Sequence, residues 1–203
     1  MFKKVALVVL LGMVFSVAAS AQTADVYWVN YFTNNTNTAA ADEYVYIINP
    51  GLQGAPITTS GAASAAGNIC ANIYVFDVAQ ELQECCSCML TPNALLKLSV
   101  RTNLLSAPMT GSVPNSGVIK IVSSTAAGGC NAGTISAANI LPDLRAWGTH
   151  QQTVGSAGFA TTESDFQAAS LSPAEEGFLP IACEFASYLG SGKGVCSCRP
   201  TTE

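Results

Sequence analysis

The amino-acid sequence reads as a mainly β chain: an antiparallel, sandwich-like domain closed by one amphipathic helix near the C-terminus and stapled by disulfides. Three observations lead there. Short segments alternating apolar and polar residues are separated by Gly, Pro, Asn and Ser, which favours many short strands over βαβ units. One stretch near the end switches to helical spacing. Eight cysteines occur in 203 residues behind a leader-like N-terminus, and thiols that leave the cytosol normally oxidise.

The leader comes first. It has a basic start (Lys3, Lys4), an apolar run from Val5 to about Val17, and Ala19-Ser20-Ala21 before Gln22, the layout of a secretory signal. Cleavage is expected after Ala21, leaving residues 22–203 as one disulfide-rich β domain. The apolar run is shorter than the roughly twenty residues that span a bilayer. The expected product therefore has no integral membrane segment and is secreted, extracellular or periplasmic.

Residues 25–32 (DVYWVNYF) set Val26, Trp28 and Phe32 on one face and Tyr27, Val29 and Tyr31 on the other, a strand pattern rich in aromatic and β-branched side chains. Residues 43–49 (EYVYIIN) repeat the alternation, and Pro50-Gly51 turns the chain. The small, polar run 58–67 reads as a loop. Residues 69–77 and 81–88 form a predicted hairpin whose second arm carries a cysteine cluster. Further short strands are predicted at 95–100, 118–123 and 144–149. Ser172-Pro173-Ala174-Glu175 has the form of a capping box with Pro at the first helical position. Ala174, Phe178, Ile181, Ala182, Phe185 and Leu189 then recur as one apolar stripe. The spacing predicts a helix over about 173–189 that packs this stripe on the sheet, with a cysteine-containing tail over 190–203.

Cys85, Cys86 and Cys88 mirror Cys196 and Cys198 in spacing, while Cys70, Cys130 and Cys183 stand apart. Eight cysteines allow roughly a hundred connectivities. On an extended strand Cys86 and Cys88 share a side and Cys85 points away. A pair of near-parallel bridges from Cys86 and Cys88 to Cys196 and Cys198 would clamp the tail to the hairpin. Cys85 could then reach Cys183, leaving Cys70 for Cys130. The competing reading, a thiolate zinc or copper(I) site, fits poorly with Cys-Cys-x-Cys and Cys-x-Cys spacing and with an oxidising compartment. Thioredoxin-like chemistry needs Cys-x-x-Cys at a helix start, and the Cys85-to-Cys88 spacing falls on a predicted strand arm instead.

Composition narrows function more than motifs do. The chain has 8 basic and 13 acidic residues, and loss of Lys3 and Lys4 with the leader leaves six against thirteen, a net charge of −7. No nucleic-acid partner is expected, because phosphate binding needs a basic face. His150 is the sole histidine; its neighbours Trp147-Gly148-Thr149 offer no nucleophile, and no Gly-x-Ser-x-Gly elbow occurs. A carboxylate pair could serve a glycosidase, with Asp77, Glu81, Glu84, Asp143, Asp165 and Glu175 nominally available. Gly190-Ser191-Gly192-Lys193-Gly194 follows a helix instead of preceding one, so it reads as a turn and not as a phosphate loop. Aromatics of the first two strands, Tyr27 and Tyr46 among them, would suit glycan stacking if a sheet face were open. Asn34-Asn35-Thr36 fits a glycosylation sequon.

At Tyr74-Val75-Phe76-Asp77, Glu84-Cys85-Cys86-Ser87-Cys88, Arg145-Ala146-Trp147 and the run from Gly190 to Cys198, the chain resembles a group of secreted, cysteine-rich bacterial proteins of uncharacterised role. The resemblance runs from about Glu43 to Cys198 and implies export; it supplies no catalytic or binding residue. No catalytic, cofactor or metal residue is assigned, so the assigned positions are the eight half-cystines Cys70, Cys85, Cys86, Cys88, Cys130, Cys183, Cys196 and Cys198. The expectation is a secreted structural or adhesive component of a surface, matrix or filament, without enzymatic activity, that self-associates or meets surface partners. A carbohydrate- or small-ligand-binding module is the alternative, and a carboxylate-dependent hydrolase comes third.

Overall fold

The computed structural model describes residues 26–55 and 66–199; the leader, most of the 58–67 loop and the last residues of the tail lie outside the described residues. In chain order the strands among those residues are β1 (Tyr27–Phe32), β2 (Tyr44–Ile48), β3 (Ile69–Asp77), β4 (Leu82–Leu90), β5 (Leu95–Ser99), β6 (Gly117–Thr125), β7 (Arg145–Thr153), β8 (Phe159–Asp165) and β9 (Gln167–Ala169), followed by α1 (Pro173–Tyr188). They form two antiparallel sheets. The first has the order β4-β3-β6-β1-β9, the second β5-β2-β7-β8.

The first sheet is buried on both faces, which explains why β3 is buried along almost its whole length. Its inner face sends Trp28, Phe32, Ile69, Ala71, Ile73, Val75, Ile119 and Ile121 against Val45, Ile47, Leu98 and Ala146 of the second sheet. Ile73 and Ile121 face each other in register with no exposed surface, and each contributes about 2 kcal/mol through burial. On the outer face, Tyr74, Phe76, Cys85 and Val122 meet α1 through Leu179, Cys183 and Ala186 and meet the 3-10 turn Ala132–Thr134 through Ala132. The layers are thus sheet, sheet and helix. Even the polar residues of the outer face are partnered: Asn72 donates to the Val122 carbonyl and the Ser124 hydroxyl, both at 2.9 Å, and Tyr74 donates to the Ala132 carbonyl at 2.7 Å.

The predicted strands all appear, with shifted ends. The 95–100 strand stops at Ser99, whose hydroxyl accepts from the Thr102 N–H at 2.8 Å and opens a π-helical turn, Val100–Leu104, that buries Val100, Asn103 and Leu104. The 144–149 strand extends to Thr153 because β8 pairs along it from Trp147 to Thr153. β8 and β9 were not anticipated. β8 (FATTESD) is an edge strand exposed over most of its length, so neither face shows the alternation that burial imposes.

The helix begins as its capping sequence predicts: the Ser172 hydroxyl accepts from the Glu175 N–H at 3.2 Å, with Pro173 first in the helix. Its packing face corrects the sequence reading. The buried residues are Leu179, Pro180, Cys183 and Ala186, whereas Phe178, Ile181, Phe185 and Leu189 of the predicted stripe are 52, 67, 57 and 51% exposed. The covalent tie at Cys183 and the small side chain of Ala186 select the face that meets the sheet. The apolar stripe is consequently turned outward, and only its margin touches the body, where Phe178 stacks on Phe76 with ring centroids 6.4 Å apart.

Candidate functional site

All eight cysteines pair. The disulfides are Cys70–Cys130, Cys85–Cys183, Cys86–Cys196 and Cys88–Cys198, with Cα separations of 5.5, 5.8, 5.2 and 5.4 Å, all within normal disulfide reach. Strand alternation on β4 accounts for the pattern, since Cys86 and Cys88 point into the inter-sheet core and Cys85 points to the helix layer. The sulfurs of Cys86, Cys88 and Cys198 lie within 4.8 Å of one another because two bridges run side by side, and oxidised sulfur offers no thiolate to a metal.

The glycine-rich segment before the tail is a turn. Gly190, Gly192 and Gly194 have φ of +60, +72 and +80°, and a side chain at Gly194 would press on Met109 and Ala186. This turn lays the tail along the free edge of β4: the Cys85 N–H donates to the Gly194 carbonyl at 2.9 Å, and the Cys196 N–H donates to the Cys85 carbonyl at 3.1 Å. The clamp therefore also satisfies an edge that would otherwise offer unpaired backbone groups.

His150 lies within β7, is 1% exposed, and stacks under Tyr31 at 4.1 Å between ring centroids. The fold brings it a partner that its sequence neighbours did not show: its Nε2 is 2.6 Å from Ser164 Oγ on β8. Glu43 lies on the other side, Oε2 to Nδ1 4.0 Å, too far for a hydrogen bond. The carboxylate is already engaged, accepting from the Thr33 N–H at 3.0 Å, the Thr33 hydroxyl at 2.9 Å and the Gln151 N–H at 2.6 Å. Burial raises the Glu43 carboxyl above its ordinary range and lowers the His150 imidazole. The three groups follow the order of a hydrolase triad without the base-orienting contact that a triad needs. With Thr33 and Gln151 they form a largely buried polar cluster.

The candidate carboxylates are dispersed. Asp77 caps the β3–β4 turn, accepting from the Ala79 and Glu81 N–H groups at 2.9 and 3.0 Å; Glu81 is exposed in the same turn. Glu84 is fully buried and accepts from the Ala107 N–H, and burial pushes its carboxyl up to about 7. Asp143 is buried, and Glu175 pairs with Lys120. Asp165 lines a surface cleft.

That cleft begins at Trp147 on the outer face of the second sheet and reaches in between the sheets to Trp28, Phe166 and Ala168. The cross-strand pairs Lys97–Tyr46, Tyr46–Trp147 and Trp147–Asp165 form one row across β5, β2, β7 and β8. Tyr46 and Trp147 stack with centroids 5.1 Å apart and planes within 6°, and the Lys97 ammonium lies 4.5 Å from the Tyr44 ring centroid. Next to Trp147 are two depressions of about 330 and 400 Å³ that share Trp147 and Asp165; Arg145 lines the first together with Trp28, Phe166 and Ala168 at the seam of the two sheets, and Glu163 lines the second. Of the two tyrosines singled out for glycan stacking, Tyr46 belongs to this row. Tyr27 does not: it packs against the helix layer. The sequon residue Asn34 donates its side-chain amide to the Gln151 carbonyl. Glu163 escapes the sequence reading because only the pairing of β8 with β7 brings it beside Trp147; Arg145 lies two residues before Trp147 on the same face of β7.

Compared with models of protein families, with curated proteins and with solved structures, the chain matches none. Among the described residues, no helix is long and apolar enough to cross a membrane.

Proposed function

We propose that the protein is an exported structural or adhesive component of a cell surface, matrix or filament, and that copies of it associate through the outward face of α1. The observation that carries this reading is the apolar stripe Phe178, Ile181, Phe185 and Leu189, exposed on a helix whose opposite face is bonded to the sheet through Cys183. A contiguous apolar patch on a rigid element marks an interaction surface. The composition supports the same reading, since charged residues make up only 10% of the chain against about 25% in ordinary globular proteins, so copies repel one another weakly. Four disulfides suit an oxidising compartment. The leader-like N-terminus supports export to a secreted, extracellular or periplasmic site.

Sedimentation of the oxidised protein from micromolar to millimolar concentration tests the association. Dimers or larger species are expected, and the double variant Ile181→Glu/Phe185→Glu should return the protein to a monomer with an unchanged helical signal. A wild-type protein that stays monomeric at millimolar concentration overturns the reading.

A further inference from the structure

We infer that the outer face of the second sheet binds an uncharged oligosaccharide, with Trp147 as the stacking surface and Asp165, Glu163 and Arg145 as the hydroxyl-binding groups. The inference is independent of the association through α1, which uses the opposite side of the three-layer stack.

The argument starts from register. Pairing of β2, β7 and β8 sets Tyr46, Trp147 and Asp165 in one row. Stacking at 5.1 Å between Tyr46 and Trp147 fixes the indole in one orientation, so little side-chain entropy remains to be lost when a ligand binds. Both depressions open beside this indole. A pyranose presents a face of C–H groups to an aromatic ring and a rim of hydroxyls to polar groups, and this site supplies both kinds of partner. Asp165 and Glu163 are exposed, and neither carboxylate is engaged in a hydrogen bond or ion pair among the described residues. Each can accept from two hydroxyls at once, and the Arg145 guanidinium can donate to a hydroxyl or ring oxygen. Two carboxylates on a net acidic chain oppose a uronate or sulfated sugar, which selects the uncharged class. Two depressions sharing one indole match consecutive sugar units better than a lone monosaccharide.

The test is a titration of the oxidised, isotopically labelled protein with three uncharged sugars, cellohexaose, N-acetylchitohexaose and maltohexaose, and with an oligogalacturonate as the charged comparison, read by calorimetry and by the indole N–H resonance of Trp147. At least one of the three is expected to bind and to shift that resonance. Trp147→Ala should weaken binding by about tenfold, the loss of one aromatic contact. Asp165→Asn, an exposed change that leaves the fold intact, should weaken it by several-fold. Tyr31→Ala, which alters the aromatic at His150, should leave it unchanged. The inference is overturned if none of the three binds at millimolar concentration, if binding survives Trp147→Ala, or if only an oligogalacturonate binds.

Discussion

Removing the bridge between Cys88 and Cys198 by the double change Cys88→Ala/Cys198→Ala should cost far less than its span suggests. The two cysteines are 110 residues apart, and a lone bridge closing so long a loop is worth about 5 kcal/mol in denatured-chain entropy. Cys86–Cys196 already closes almost the same loop. With it in place, the additional ring contains only the segments 86–88 and 196–198, for which the same relation gives about 2 kcal/mol. Removing both parallel bridges leaves Cys85–Cys183 as the remaining tie. The second loss then releases a ring made of the segments 85–86 and 183–196, about 3 kcal/mol more. When Cys85–Cys183 also goes, with Cys70–Cys130 still closed, the ring released is made of the segments 70–85 and 130–183, a further step of about 4 kcal/mol that should leave the chain unfolded, because natural domains hold about 5–15 kcal/mol in total. Each truncation also forfeits sulfur packing, so the rising increments are the diagnostic quantity. Guanidinium unfolding followed by circular dichroism measures them. A loss of about 5 kcal/mol from the first variant alone would refute the nested-ring reasoning and show the bridges acting as independent ties.

Two further outcomes follow from the core. Glu84 has its folded-state pKa raised from about 4.5 to about 7 by burial, so the native chain holds a proton that the unfolded chain releases. Stability is then fully present below about pH 4.5 and falls as pH rises through 7, by up to about 3 kcal/mol; Glu84→Gln should flatten this slope in urea melts at pH 5 to 8, and an unaltered slope would assign it to other groups. Gly117 begins β6, and a Cβ there would lie 2.0 Å from the Phe76 carbonyl oxygen and 2.8 Å from the Phe32 ring. Gly117→Ala should therefore destabilise by about 1–3 kcal/mol through overpacking, and a thermal midpoint equal to that of the parent would contradict the close approach.

Where burial is one-sided or complete, the chain declares its structure in its pattern. Trp28 and Phe32 alternate toward the core as their spacing predicts, and the period-two rule separates Cys85 from Cys86 and Cys88 before any coordinates are known. The helix shows the limit of that logic. Its strongest apolar periodicity does mark one face, but the sheet binds a different face, carrying Leu179, Pro180, Cys183 and Ala186, which the bond between Cys183 and Cys85 holds in place. β8 escaped notice for the opposite reason: an exposed edge strand has no face that must be apolar. The proposed sugar site inherited that blindness. Trp147 was visible, whereas Asp165 was one carboxylate among six until strand pairing placed it beside the indole. The Ser164–His150 contact joins adjacent strands of the second sheet, and no sequence spacing encodes it.

The bridging of residues 85–88 to residues 183–198 also sets an order of events during biosynthesis. A chain emerging from its N-terminus exposes Cys70, Cys85, Cys86, Cys88 and Cys130 well before Cys183, Cys196 and Cys198 are available. Of the four native bonds only Cys70–Cys130 can form in that interval, while three neighbouring thiols wait without their partners. Premature oxidation would pair them with one another or with Cys70, and recovery requires thiol–disulfide exchange, which takes seconds to hours depending on oxidant and isomerase. Residues 183–198 thus decide whether the molecule matures, and its yield depends on isomerase capacity more than on oxidising power.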